Sequence, residues 1–143
     1  MAYSWLIYAL MSAIMAALVA IFGKVGLQGI DSNTATAVRA VIMALFLVGL
    51  IIVQGKLNNI QPILMNSKAL FYIALSGIAG ALSWLFYFVA LQNAKVSQIV
   101  PIDRMSVVFA LLLAFFLLGE KISLKAGIGA ALIVTGGILI ALA

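Results

Sequence analysis

Apolar residues along this chain fall into five long runs, interrupted mainly by small or hydroxylated residues and by a few isolated charges. They cover roughly 2–22, 32–53, 67–92, 97–118 and 124–142. A helix needs about 20 apolar residues to cross a hydrocarbon core about 30 Å thick. The pattern therefore predicts an all-α integral membrane fold of five transmembrane helices, forming a single domain over 1–143. The punctuation between runs agrees. Gly23–Lys24 is expected to end the first helix. Asp31, Ser32 and Asn33 are good residues to open the second, and Gln54, Gly55 and Lys56 to close it. The third is expected to begin after Asn66 or Ser67 and the fourth at Ser97, with Gly119 as its stop. Ser123 is the expected cap of the fifth. Connectors are short except QGKLNNIQPILMNS at 54–67, a polar stretch with Pro62 that suits the membrane interface. MAYSWLIYAL at the start lacks a positive leader, so the first run is expected to be a retained helix.

Composition narrows the picture. Of 143 residues, 67% are hydrophobic, and only eight Lys or Arg and three Asp or Glu are charged. That is too little polar surface to cover a water-soluble globule, in which about a quarter of residues are charged. The net charge of +5 forms no basic stripe that would track a nucleic acid. It sits largely in connectors, where it acts on topology. With five spans the termini face opposite sides. The N-terminal side then carries Lys56, Lys68, Lys121 and Lys125, and the other side carries Lys24 and Lys95. Arg39 and Arg104 enter their helices from that second side, which brings the balance to four against four. Such an even balance permits both orientations in one membrane.

The intramembrane charges raise the sharpest question. Arg39 lies about 10 Å along its helix and Asp103 about 9 Å along its own, at matching depth from one face. A charge at a helix centre costs about 2.5–3.5 kcal/mol on insertion scales, so the matched depth predicts an Arg39–Asp103 pair inside the bundle. On a continuous helix Asp103 shares a face with Ser106, Ala110 and Ala114, which suits the bundle interior. Arg104 shares another face with Val108, Leu111 and Phe115 and can snorkel outward. Pro101 either starts this helix or leaves a carbonyl free near the charges. These charges can lock helices together, mark a solute path, or do both.

The third run carries Tyr72, Ser76, Gly80, Ser83 and Tyr87 on one helical face, with Trp84 beside it. Ser76 and Gly80 read as packing positions. Ser83, Trp84 and Tyr87 read as a cavity wall. Ser12, Ala16 and Ala20 in the first run, and Ala126, Gly129, Gly136 and Gly137 in the fifth, read as close-packing faces. With no histidine or cysteine, and no base placed beside a serine, no residue set supports catalysis, and neither a metal nor a cofactor is expected.

Three stretches resemble a known family. LLGEKISLKAGIGAALIVTGGILIA (117–141) is similar to the end of a repeat in the drug/metabolite transporter superfamily, with its G-E element, polar cap and glycine-spaced last helix. SQIVPIDRMSVVFALLLAFFLLGE (97–120) is similar to the helix before it, and AIMAALVAIFGKVGLQGIDSNTATAVRA (13–40) to the first two helices of an EamA domain. The resemblance implies a single-repeat, half-size transporter of small solutes or metabolites, in the cytoplasmic membrane of a prokaryote. Larger members carry two repeats. Because five is odd, a second copy enters inverted, and a solute site forms between the two. A second subunit, most simply an antiparallel homodimer partner, is then expected to supply the missing half and to work with it by alternating access. The small multidrug pumps of the superfamily use a glutamate in their first helix; the first run here has no carboxylate. The expected solute-contacting set is Arg39, Ser83, Trp84, Tyr87, Asp103, Arg104 and Ser106, with Arg104 as the spare charge for an anionic group. A non-transporting membrane subunit that needs a partner protein is the alternative.

Overall fold

A computed structural model describes residues 4–143. Among them helices dominate and no strand forms. The helices are α1 (Ser4–Gly26), α2 (Ser32–Val53), α3 (Ile60–Met65), α4 (Ser67–Asn93), α5 (Val96–Asp103), α6 (Ser106–Leu118) and α7 (Leu124–Leu142), with a 3₁₀ turn at Leu57–Asn59 before α3. Five stretches are long and apolar enough to cross a membrane: α1, α2, α4, α5 with α6 (Val96–Leu118), and α7. Little of each is buried within the chain, as expected of segments whose solvent is lipid.

The helix ends follow from local chemistry. At the start of α2 the Asp31 carboxylate accepts from the Thr34 N–H at 2.7 Å and from its hydroxyl at 2.8 Å. Asn66 Oδ1 accepts from the Ala69 N–H at 3.0 Å, and Ser123 Oγ from the Ala126 N–H at 3.2 Å, opening α4 and α7. Each satisfies a backbone donor that the first helical turn leaves orphaned. Gly119 stops α6 with φ at 68°, a left-handed conformation that costs a glycine nothing. Two boundaries differ from expectation. The first helix runs through Gly23–Lys24 to Gly26, because Lys24 in its last turn favours the negative end of the helix dipole. The long connector is partly helical: Pro62 is the third residue of α3, where its missing N–H removes no helical bond.

The fourth span is two helices. Pro101 lies inside α5, so the carbonyl of Ser97 loses its helical donor and the turn is opened. Three residues on, the winding tightens. Met105 N–H donates to the Ile102 carbonyl at 2.9 Å, Val107 N–H to Arg104 at 3.1 Å and Val108 N–H to Met105 at 2.9 Å, all i→i+3 bonds. Asp103 ends α5, Arg104 and Met105 form the join, and Ser106 begins α6. The continuous face expected to link Asp103 with Ser106, Ala110 and Ala114 is broken at this join.

The chain forms two compact units: residues up to Val25 together with Asn93–Ala143, and Gly26–Gln92. In the first unit α5 packs on α7 at very short range. A Cβ built on Gly137 would stand 3.0 Å from the Pro101 carbonyl oxygen. Ala20, Ala130 and Gly137 are buried, in line with close packing at small residues. Polar ties hold the connector end of this unit. Lys24 Nζ donates to the Ala94 carbonyl at 2.9 Å, and Gln98 Nε2 to the Ala141 carbonyl at 3.4 Å. In the second unit Gln92 Nε2 donates to the Ile30 carbonyl at 2.6 Å, joining the end of α4 to the approach to α2. Ser32, Thr36, Phe88 and Leu91 in this unit are buried.

Two outcomes follow. Gly137→Ala gains about 1 kcal/mol of helix propensity, but pushing a methyl against the Pro101 carbonyl costs about 1–3 kcal/mol. Its melting temperature in detergent falls, while Gly136→Ala, with nothing within 4 Å of the new Cβ, melts at or above the wild-type temperature. The second outcome concerns Asp31, whose pKa is lowered first by the Thr34 backbone N–H and then by the Thr34 hydroxyl. A depressed carboxyl pKa stabilises above the unfolded value, about 3.9, and the contribution disappears as pH falls through the folded value. Asp31→Ala therefore melts earlier than wild type at pH 7, and the gap closes below about pH 4.

Candidate functional site

The expected site residues fall into two groups, one in each unit. In the second unit, Arg39 stands on the α2 face that also carries Ser32 and Thr36, at spacings of seven and three residues. Ser32 and Thr36 are buried, and the Thr36 hydroxyl donates back to the Ser32 carbonyl at 2.7 Å. One face of α4 supplies Trp84 and Phe88, a helical turn apart, and Leu91 beyond them is fully buried. Arg39 reaches across. Its Cζ lies 3.7 Å from the centroid of the Trp84 ring and 5.1 Å from that of Phe88.

The rings that receive it form a cluster. Trp84 and Tyr87 meet edge to face at 5.6 Å and 81°, Tyr87 and Phe88 at 6.1 Å and 78°. Trp84 and Phe88 lie 5.7 Å apart at only 31°, so their faces present a shared shelf. A guanidinium over such a shelf gains about 0.5–1 kcal/mol where exposed and about 2 kcal/mol when desolvated. That offsets part of the cost of placing the charge about 10 Å into a span. Parallel stacking, the usual arrangement of a guanidinium on a ring, leaves its in-plane N–H donors available. Among the described residues no acceptor takes them.

Phe88 was not among the expected contacts. Its i, i+4 relation to Trp84 was the signal that could have found it. Ser83 is exposed on α4, next to Trp84 in the chain. Tyr72 and Ser76 lie further along α4 and are exposed as well. The stripe therefore divides, with the aromatic cluster at the α4 C-terminal half and open positions before it.

The first unit holds Asp103, Arg104 and Ser106 at the join of the fourth span, all three exposed. Opposite them α7 carries no ionisable side chain between Lys125 and its end. Arg39 and Asp103 belong to different units, and their pairing stays a proposal drawn from matched depth. Elsewhere in this unit a groove of about 410 Å³ runs between α6 and α7. Its wall is apolar, and its one hydroxyl, that of Thr135, donates to the Ala131 carbonyl at 2.9 Å. The groove thus suits an acyl chain or a packed helix better than a polar solute. No group of three or more potential metal ligands occurs among the described residues.

The sequence matches the EamA-like transporter family over residues 3–142. The chain belongs to that family. An uncharacterized transporter in the cobO 3' region of a Sinorhizobium species is 36% identical over 141 residues, 99% of each chain. Uncharacterized transporters from two strains of Helicobacter pylori are 38% identical over 77 residues, 54% of this chain but only 26% of theirs. No solved structure matches the chain. EamA-like membership makes this a multi-pass membrane transporter of half size, and the charged positions are then features of a transporter's spans.

The shelf predicts a specific hierarchy. Trp84→Ala removes the nearest ring and should lower the melting temperature in detergent more than Tyr87→Ala, whose ring is not one of the two over the cation. Trp84→Phe, which keeps an aromatic face, should recover most of the loss. Equal melting of Trp84→Ala and wild type would show that the stacking contributes nothing to stability.

Proposed function

We propose that the chain moves small solutes or metabolites across a prokaryotic cytoplasmic membrane as an antiparallel homodimer, by alternating access, and carries out no chemical reaction. The observation that carries this reading is the EamA-like match along essentially the whole chain, together with a transporter-named relative of the same length. One repeat of five spans supplies half of an inverted pair. A second copy in the opposite orientation supplies the other half and encloses a path between the two. The four-against-four balance of Lys and Arg supports insertion in both orientations, because nothing in it selects one.

In this arrangement the seven residues Arg39, Ser83, Trp84, Tyr87, Asp103, Arg104 and Ser106 border the path. The antiparallel operation places one such set near each mouth, so each state opens one set to water and closes the other. The join at Arg104–Met105 is the natural place for the fourth span to bend as the mouths exchange. Its short i→i+3 bonds leave the two helical halves less firmly coupled than a continuous ladder would.

A reporter fused to the C-terminus tests the arrangement. Both cytoplasmic and external signals are expected from one cell population, and two added lysines at one end should shift their ratio. A reporter found on one side in every host would overturn the antiparallel homodimer. Transport itself is read from solute counterflow in proteoliposomes. Failure of every solute class to move would instead favour a subunit that needs a partner protein.

A further inference from the structure

We propose that the free edge of Arg39 binds the carboxylate of an organic anion, whose apolar body lies along the Trp84–Tyr87–Phe88 shelf. The inference rests on the transport reading and adds the substrate class to it. It also moves anion recognition from Arg104, where charge arithmetic had put it, to Arg39.

Three observations carry it. First, the guanidinium is fixed by stacking: 3.7 Å over Trp84 and 5.1 Å over Phe88. Parallel stacking is the usual geometry of an arginine over a ring, and it leaves the N–H fork free to match two carboxylate oxygens. Second, those donors meet no acceptor among the described residues, and the side chain is only half buried. Arginine keeps its proton in any protein environment, so the edge demands an anion or water. Third, the rings extend past the cation. Tyr87 stands edge-on to both Trp84 and Phe88, which enlarges the aromatic cluster that carries the cation. An oriented charged group beside an aromatic surface is the pairing of polar and apolar contacts that small-molecule sites use. A planar carboxylate with an aromatic or branched apolar body fits both halves.

A lipid phosphate fits less well. Arg39 lies about 10 Å along α2 from its first residue, inside the candidate span rather than at its end.

The test uses purified full-length protein in dodecyl maltoside, titrated calorimetrically with benzoate, phenylacetate, isovalerate and indole-3-acetate, and with the matching primary amides. At least one acid should bind tenfold or more tightly than its amide. Arg39→Gln should erase that preference, and Arg39→Lys, which keeps the charge but loses the fork, should weaken the acid at least tenfold. Circular dichroism confirms that both variants remain helical. Equal binding of acids and amides, no binding of any acid, or unchanged binding in a helical Arg39→Gln each overturns the inference. So does phosphatidylglycerol displacing the acid in an Arg39-dependent way, since the anion would then be a lipid. Counterflow in proteoliposomes separates this inference from the transport reading. Movement of neutral or cationic solutes with no acid binding leaves transport standing and removes the carboxylate site. Arg39-dependent acid binding with no movement of any solute keeps the site and removes transport.

Discussion

A guanidinium cannot shed its proton to escape a poor solvent, so it must be solvated wherever the fold puts it. Arg39 sits well inside the second span, and the fold solvates it with the faces of Trp84 and Phe88. Much of the second unit can be understood from that requirement. α4 must present two aromatic rings a turn apart at the right level, and α2 must turn its Ser32–Thr36–Arg39 face toward them. Ser32, Thr36, Phe88 and Leu91, on the same two helices, are buried. Large side chains make this contact, whereas α5 and α7 in the other unit meet at the backbone, with Gly137 against Pro101. The two units thus use opposite solutions to helix packing without a hydrophobic drive between helices.

The bilayer also explains why so much of the architecture was legible in the sequence. It demands long apolar helices, and their ends are marked by residues that satisfy orphaned backbone groups, such as Asp31, Asn66 and Ser123. Gly119 is similarly unambiguous. The break in the fourth span was only half legible. Pro101 pointed to it, but a proline five residues into a run can also open a helix. The outcome depends on how the following residues wind, which Arg104 and Met105 settle through i→i+3 bonds. The neighbours of Arg39 were less legible still. Opposite charge at matched depth drew attention to Asp103. An aromatic shelf, by contrast, depends on the relative rotation of α2 and α4, which hydrophobic periodicity does not specify. Phe88 looked like one more apolar residue in a run full of them.

Half-size members of the EamA-like family pose a simple geometric problem. Five spans leave a repeat with its ends on opposite faces, and a path bounded by two inverted repeats needs a second copy. The charges at Arg39, Asp103 and Arg104 are tolerable at membrane depth if that copy, or water within the path, covers what a lone chain leaves open. Arg39 carries part of its own cover in Trp84 and Phe88. In the proposed homodimer Asp103 and Arg104, exposed at the join of the fourth span, would depend more heavily on the path.

That dependence can be measured directly, because the sequence has no cysteine and every introduced thiol is unique. Single cysteines at Ser83 and Ser106, beside the two charged groups, would be exposed to a membrane-impermeant maleimide in intact membranes, alongside controls at Phe46 and Leu47 on the exposed side of α2. If the charges border an aqueous path, Ser83 and Ser106 label rapidly and the controls stay unreacted. If Ser83 and Ser106 stay as unreactive as the controls, the charged groups face lipid or dry protein, and the account of a solute path built around them is wrong.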